Sequence, residues 1–144
     1  MKRARSERGA VIVELAIVLP FFALLIVGIV SFGLILREFA VLQNGAREGA
    51  RLSVLPEYEI AMSTDPTATR NAIKQRVVDY VGAEGITIDP ANVTVDQTST
   101  TVDVGGGVLA RASHITVSYT RAMLFSIFPS VTLKGDATWR NLYN

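Results

Sequence analysis

The sequence predicts an α+β protein in which a long N-terminal transmembrane helix continues into a small domain with a short helix and an antiparallel sheet of about four strands. Three features predict this fold class. Residues 15–36 carry no charge, apolar residues then recur at helical spacing, and apolar and polar residues alternate beyond residue 92. We therefore divide the chain into a basic leader (1–9), a transmembrane helix (10–36), a continuation of that helix outside the membrane (37–55) and a small extracytoplasmic domain (56–144).

The uncharged run from Leu15 to Leu36 is long enough to cross a lipid bilayer. Of its 22 residues, 16 are Leu, Ile, Val or Phe, and at about 1.5 Å per residue the run reaches roughly 33 Å as an α-helix. Their insertion free energy, roughly −5 to −9 kcal/mol, outweighs the one ionised group at the edge, Glu14. A cleaved secretory signal is the alternative, but its apolar region spans only about 7 to 15 residues and ends at a small-x-small site. No Ala-x-Ala follows this run.

Charge is distributed unevenly along the chain. The whole chain carries +1 and its first nine residues carry +3, so the remainder carries −2; the charged residues of the leader are Lys2, Arg3, Arg5, Glu7 and Arg8. Because positive residues stay on the cytoplasmic side, we expect a single-pass protein with its N-terminus in the cytoplasm. The leader alone lacks an apolar pattern and is expected to be disordered. The acidic remainder has no basic stripe, which argues against a nucleic-acid partner.

Residues 8–15, R-G-A-V-I-V-E-L, form a second motif at the start of the helix. Taken singly, Gly9 is a flexible junction and Glu14 is a carboxylate at the membrane interface. Together, between a basic leader and an uncharged span, they resemble the processing site of type IV pilin-like proteins. The resemblance implies that prepilin peptidase cuts after Gly9, that Ala10 becomes the first residue, and that Glu14 becomes the fifth.

The charge of Glu14 suggests a role in the assembly of helices, through pairing with a terminal ammonium group. Cleavage after Gly9 would free an α-amine that is mostly cationic at neutral pH. Glu14 lies about 6 Å further along the helix axis, within reach of its own or a neighbour's ammonium group. Because an unpaired ion in a low dielectric is costly, such pairing would favour the assembled helices over the isolated one and would fix their register.

Three further residues of the predicted span bear on helix packing. Pro20 removes a backbone donor and predicts a kink or a local opening of the helix. Gly28 and Gly33 are small positions at which another helix could approach closely, or they are ordinary transmembrane glycines.

The helical pattern continues beyond Leu36 to about Val54, and Pro56 ends it. The apolar positions recur at spacings of three and four, namely Phe39, Leu42, Ala46 and either Gly49 or Ala50. Gly45 and Gly49 form a Gly-xxx-Gly pair, which is typical of close helix packing. The charged residues between them and just after them, Arg47, Glu48 and Arg51, are predicted to form the solvated side.

The segment G-A-R-E-G-A-R (residues 45–51), about thirty residues after the Gly-x4-Glu motif, resembles the TadE-like family. The resemblance covers about residues 8–55, roughly a third of the chain, and departs from the family at Leu15, where an aromatic residue is frequent. It implies a pilin-like fold and a minor pilin, or pseudopilin, of the tight-adherence machinery that builds Flp-type pili. It also implies the bacterial cytoplasmic membrane as location, and prepilin peptidase, other pilins and the assembly platform as partners.

The rest of the chain predicts a linker, one helix and the sheet. Residues 56–67 are polar with two prolines and predict a linker, and Asp65-Pro66 is a typical helix start. The apolar positions of the predicted helix are Ile73, Val77, Tyr80 and Val81. Four strands are predicted, as an antiparallel meander, from the alternation of Val93 and Val95; Val102 and Val104; Ile115, Val117 and Tyr119; and Val131, Leu133, Ala137 and Trp139.

Residues that would carry chemistry are few. Gly105, Gly106 and Gly107 favour a hairpin loop over a phosphate cradle, because no Lys-Ser/Thr and helix follow them. Residues 123–129, MLFSIFP, belong either to the core or to a surface that contacts membrane or partner. The chain has no cysteine, one histidine and no metal-ligand spacing, so we expect neither a metal nor another cofactor.

We expect the protein to be the substrate of an enzyme and not an enzyme itself. His114, the only histidine, is predicted on the polar face of a strand without a nucleophile beside it. The alternative function is an unprocessed single-pass membrane module whose outer domain binds a ligand of the cell envelope. An envelope hydrolase that uses His114 is a more distant third.

Overall fold

The computed structural model describes residues 3–122 and 129–141, with side chains from residue 9 onward. It contains three α-helices and four strands: α1 (Arg3–Ser53), α2 (Pro56–Thr64), α3 (Pro66–Ala83), β1 (Val93–Asp96), β2 (Thr101–Asp103), β3 (Leu109–Arg121) and β4 (Val131–Arg140). A 3-10 turn, Pro90–Asn92, precedes β1. The predicted α+β fold class, with one long N-terminal apolar helix and a four-stranded antiparallel sheet, is confirmed. The chain divides into two units, Met1–Leu36 and Arg37–Asn144.

Helix α1 is longer at its start than the sequence predicts. Residues 3–9 of the leader are helical and continue into the apolar run; that the leader on its own is disordered stays a prediction. The helix also continues through Pro20, and the kink or local opening expected there stays a prediction. It ends at Ser53 because Leu55, the residue before Pro56, takes an extended conformation with φ −71° and ψ 143°.

The segment predicted as a linker, residues 56–67, is mostly helical. Helix α2 places Pro56 in its first turn, where the missing N–H removes no hydrogen bond, and Glu57 and Glu59 lie in the same turn. None of its residues is buried, so it has no apolar stripe from which periodicity would reveal a helix. The prediction of a linker is therefore wrong, because a helix without a buried face shows no periodic spacing of apolar residues.

Helix α3 begins where the Asp65-Pro66 pair predicts. The Asp65 carboxylate accepts hydrogen bonds from the backbone N–H groups of Thr67, at 3.1 Å, and Ala68, at 2.9 Å, as an N-cap residue does. Ile73, Val77 and Val81 are fully buried along one side of the helix. These contacts fix α3 against the rest of the domain.

Strand β3 is the centre of the sheet. It pairs antiparallel with β4 over residues 112–121, and with β1 over residues 114–117 on its other edge. The shorter β2 pairs with residues 109–111, and the N–H of Ala112 donates to the carbonyl of Thr100 at 2.9 Å between the two pairings. The chain therefore runs as an antiparallel meander through β2, β3 and β4. The predicted meander of all four strands is wrong for β1, which pairs with β3 and not with β2.

One face of the sheet forms the core with residues 41–53 of α1, with Val54 and with α3. Its buried residues are Val93, Val95, Ile115, Val117, Leu133 and Ala137. Two residues predicted on this face are exposed instead: Val104 lies just beyond β2, and Trp139 lies at the end of β4.

The glycine run closes the β2–β3 connection as a hairpin turn. All three glycines have positive φ angles, +111° at Gly105, +65° at Gly106 and +79° at Gly107, a region that residues with a Cβ rarely adopt. Val104 N–H donates to the carbonyl of Val108 at 2.9 Å across the turn. Of the apolar segment at 123–129, residues 123–128 lie outside the described residues.

Candidate functional site

The first unit of the chain presents an uncovered apolar helix surface. Its large side chains are exposed, for example Val11 at 62%, Phe21 at 71% and Ile29 at 64%. The helix from Gly9 to Ser53 is long and apolar enough to cross a membrane, and its most apolar window has a mean hydropathy of 2.9 and is not buried in the protein. Exposed apolar surface of this extent is unfavourable in water, at about 25 cal/mol per Å². This helix fits a single-pass membrane protein.

The predicted processing residues lie at the start of this surface. Gly9, Ala10 and Glu14 are all exposed residues of α1. Apart from the neighbouring backbone of the helix itself, no atom of the described side chains lies within 4 Å of the place where a side chain on Gly9 would begin. Within the part of the chain that the structure describes, Glu14 makes no ion pair. Its pairing with a newly freed N-terminus stays a prediction.

Gly28 and Gly33 lie in the same apolar surface and leave space at their positions. A methyl group on either residue would meet nothing within 4 Å, so neither glycine is required by contacts within the described residues. Close approach of a second helix at these positions, and at Pro20, stays a prediction.

Gly45 and Gly49, in contrast, are both buried against the chain's own domain. A methyl group on Gly45 would lie 2.8 Å from Val81 Cγ2, and one on Gly49 would lie 2.5 Å from Val77 Cγ2. Ile115 of β3 also approaches Gly49, at 3.4 Å. The Gly-xxx-Gly pair therefore brings α3 and the sheet close to α1 within one chain.

Gly135 is a site of close packing that sequence reasoning missed. A methyl group there would lie 2.5 Å from the carbonyl carbon of Leu42 and 2.6 Å from the backbone nitrogen of Gln43, so the backbone of α1 rests on β4. The Gln43 side chain extends this contact: its Nε2 donates to the Asp136 carbonyl at 2.6 Å, and its Oε1 accepts from the Asp136 N–H at 3.2 Å. The sequence does contain a signal for this contact: Gly135 interrupts the alternating pattern of β4, and a glycine inside a strand indicates close approach of another backbone.

Ion pairs add to this attachment of residues 37–53 to the domain. Glu38 of α1 pairs with Arg121 of β3, and both side chains are largely buried, at 12% and 17% exposure. Glu48 binds Arg51 through two hydrogen bonds of 3.0 Å and binds Arg76 of α3 at 3.2 Å. The prediction of a purely solvated side is therefore wrong for Glu48, which is half-buried and links two helices.

These contacts predict an acid-sensitive contribution of Glu48 to stability. Its pKa is lowered from the ordinary 4.5, chiefly by the hydrogen bonds from Arg51 and with a further contribution from Arg76. A lowered folded-state pKa stabilises the fold fully above the ordinary value, and this stabilisation is lost as the pH falls through the lower, folded-state pKa. We expect Glu48→Gln to lower the thermal unfolding midpoint by about 2–4 °C at pH 7 and by less near pH 3. Trp139 fluorescence of the full chain in detergent micelles measures this, and an equal loss at both pH values would contradict it.

His114 lies between two threonines. Its Nδ1 is 2.7 Å from Thr138 Oγ1 and its Nε2 is 3.1 Å from Thr116 Oγ1. Among the described residues no group of three or more His, Cys, Asp or Glu side chains is arranged to hold a metal ion. Asp96 of β1 lies opposite His114 in the sheet, but among the described residues His114 forms no ion pair within 4.0 Å.

Comparison with known proteins supports the resemblance over the N-terminal part of the chain. Residues 9–51 match the TadE family, described as TadE-like protein, and this confirms the resemblance over that range. No curated protein and no solved structure matches the chain. The matched range includes the Gly-x4-Glu motif, the apolar surface of α1 and the Gly45 and Gly49 packing site. It suggests a pilin-like protein associated with tight-adherence pili.

Proposed function

We propose that this chain is a pilin-like membrane protein, or pseudopilin, that prepilin peptidase cuts after Gly9 and that takes part in the assembly of tight-adherence, Flp-type pili. The observation that carries the proposal is the coincidence of two features in residues 9–51. The range matches the TadE-like family, and it begins with a Gly-x4-Glu motif on an exposed, apolar helix.

The proposed sequence of events follows from the charges and the apolar surface. The basic leader keeps the N-terminus in the cytoplasm while the apolar helix enters the bilayer and the domain lies outside. Cleavage removes the leader and converts Ala10 into a cationic N-terminus. The helix then leaves the lipid by packing against other pilin helices, with Glu14 paired to a terminal ammonium and with Gly28 and Gly33 allowing close approach.

A substitution at the scissile bond tests the processing step. We expect the native protein isolated from its host membrane to begin at Ala10, and Gly9→Val to begin at Met1, because a branched side chain would occupy the space that the peptidase needs beside the bond. N-terminal sequencing and intact mass give the answer directly. Gly28→Val is the matched control, since nothing lies within 4 Å of either glycine, and it should be cut normally.

The same measurement separates the proposal from the alternative. A native protein that keeps Met1 would indicate the unprocessed membrane-anchored binding module. Normal cleavage of Gly9→Val would contradict the assignment of the scissile bond even if the native protein starts near Ala10. We also propose that the chain itself is not an enzyme, which the threonine-bound position of His114 supports.

A further inference from the structure

The domain contains an open cavity of about 540 Å³ that is lined by both polar and apolar side chains, within the size range of sites for small molecules. It lies among α2, the first turns of α3, the turn after β1, and β3. Its lining residues are Pro56, Glu59, Ile60, Met62, Ser63, Pro66, Arg70, Gln97, Thr98, Arg111 and Asn141. Nothing in the proposed pilin-like function assigns a role to this cavity.

Three residues of the lining have buried polar atoms that lack a hydrogen-bond partner among the described residues. These atoms are Glu59 Oε1, Arg70 Nε and Gln97 Oε1. Buried polar groups in folded proteins are nearly always hydrogen-bonded, and an unpaired one destabilises the fold. Three such atoms on residues that line one cavity mark it as a candidate binding site.

Gln97 is the most firmly placed of the three. It is 6% exposed, and its Nε2 donates to the Ser53 carbonyl at 3.2 Å, which leaves Oε1 as a free acceptor. The turn that carries it is fixed by Asp96, whose carboxylate accepts from the N–H groups of Thr98, at 3.0 Å, and Ser99, at 2.9 Å. The side chain is therefore held in place independently of any ligand.

The other two residues with unpaired atoms, Glu59 and Arg70, carry opposite charges but do not pair with each other. Glu59 and Arg70 line the same cavity, yet they form no ion pair within 4.0 Å in the described part of the chain. Burial raises the pKa of Glu59, as expected for a carboxylate without a cationic partner. An anion alone would leave Glu59 unpaired, and a cation alone would leave Arg70 unpaired. A molecule with both charges satisfies the two groups.

We propose that this cavity binds a small zwitterion of the amino-acid or short-peptide type. The ligand's ammonium group donates to the Glu59 carboxylate, and its carboxylate accepts from Arg70, with Arg111 nearby in the lining. Glu59 and Arg70 are half-buried. The site does not depend on cleavage after Gly9.

Titration of the full chain in detergent micelles tests the site. The probes are alanyl-alanine, alanine, acetate and methylammonium, each up to about 10 mM, and the signals are the side-chain NMR resonances of Gln97 and Arg70. We expect saturable shifts with at least one of the two zwitterions, and about tenfold or weaker binding of the two single ions. Preference for alanyl-alanine identifies a peptide and preference for alanine a free amino acid. Equal binding of acetate, or no saturable shift with any probe, overturns the proposal.

Two variants separate binding from folding. Arg70→Met should weaken binding of the better zwitterion at least tenfold and should leave the thermal unfolding midpoint unchanged or raised, because it removes an unpaired buried group. Glu59→Gln keeps the shape of the side chain and should weaken binding similarly. Lys74→Met, on the same helix but outside the lining, is the control and should bind normally. Wild-type binding by either of the first two variants, or a lowered midpoint in Arg70→Met, contradicts the proposal.

Discussion

Glu14→Gln is expected to abolish incorporation of the protein into pili while leaving membrane insertion and cleavage after Gly9 intact. Glutamine has nearly the size of glutamate but carries no charge, so it cannot pair with a neighbour's terminal ammonium in the apolar interior. Breaking a buried ion pair costs about 3–5 kcal/mol, which corresponds to a loss of about 10²–10³ or more in the association constant of each subunit. Insertion itself becomes easier, because an ionised side chain is the more costly group in lipid.

The distribution of the protein between sheared pili and the membrane measures this effect. Immunoblots of both fractions should show the variant in the membrane only, with Ala10 as its first residue. Glu57→Gln is the control, because it removes an equally exposed carboxylate from α2 of the domain. Incorporation of Glu14→Gln at the wild-type level would show that the charge has no part in assembly.

The sequence predicts the elements of this fold whose residues face a core. The apolar run of α1, the stripe of Ile73 and Val77 in α3, and the alternation in β1 and β3 all match buried or lipid-compatible surfaces. Helix α2 was not predicted because none of its residues is buried. Trp139 was predicted on the buried face and is exposed, because alternation indicates the face of a strand but not whether other residues cover that position.

The candidate sites were predictable to different degrees for a similar reason. Spacing identifies Gly45 and Gly49 as positions of close approach, but it does not say whether the approaching element belongs to the same chain. Here Val77 and Val81 of the chain's own α3 fill the space. The link from Glu48 to Arg76 spans 28 residues, so no local pattern signals it. The cavity beside Gln97 was missed because its lining comes from four separate segments.

Gly135→Ala is expected to destabilise the domain strongly. The added methyl group would lie 2.5–2.6 Å from backbone atoms of Leu42 and Gln43, and backbone cannot rotate away as a side chain does. Either α1 moves off β4, which lengthens the two hydrogen bonds between Gln43 and Asp136, or the strand distorts. Overpacking costs about 1–3 kcal/mol and weakened hydrogen bonds about 1 kcal/mol, which together lower the unfolding midpoint by about 10 °C or more.

Thermal unfolding of the full chain in micelles, followed by the fluorescence of Trp139 on the same strand, measures this loss. Gly82→Ala is the matched control: it adds the same methyl group at an exposed position of α3 with nothing within 4 Å, and it should leave the midpoint unchanged or raise it, since alanine favours a helix over glycine by about 1 kcal/mol. A midpoint for Gly135→Ala within about 2 °C of the wild type would mean that α1 does not rest on β4 at this glycine. The attachment of residues 37–53 to the domain would then depend on the close packing at Gly45 and Gly49 and on the ion pairs of Glu38 and Glu48.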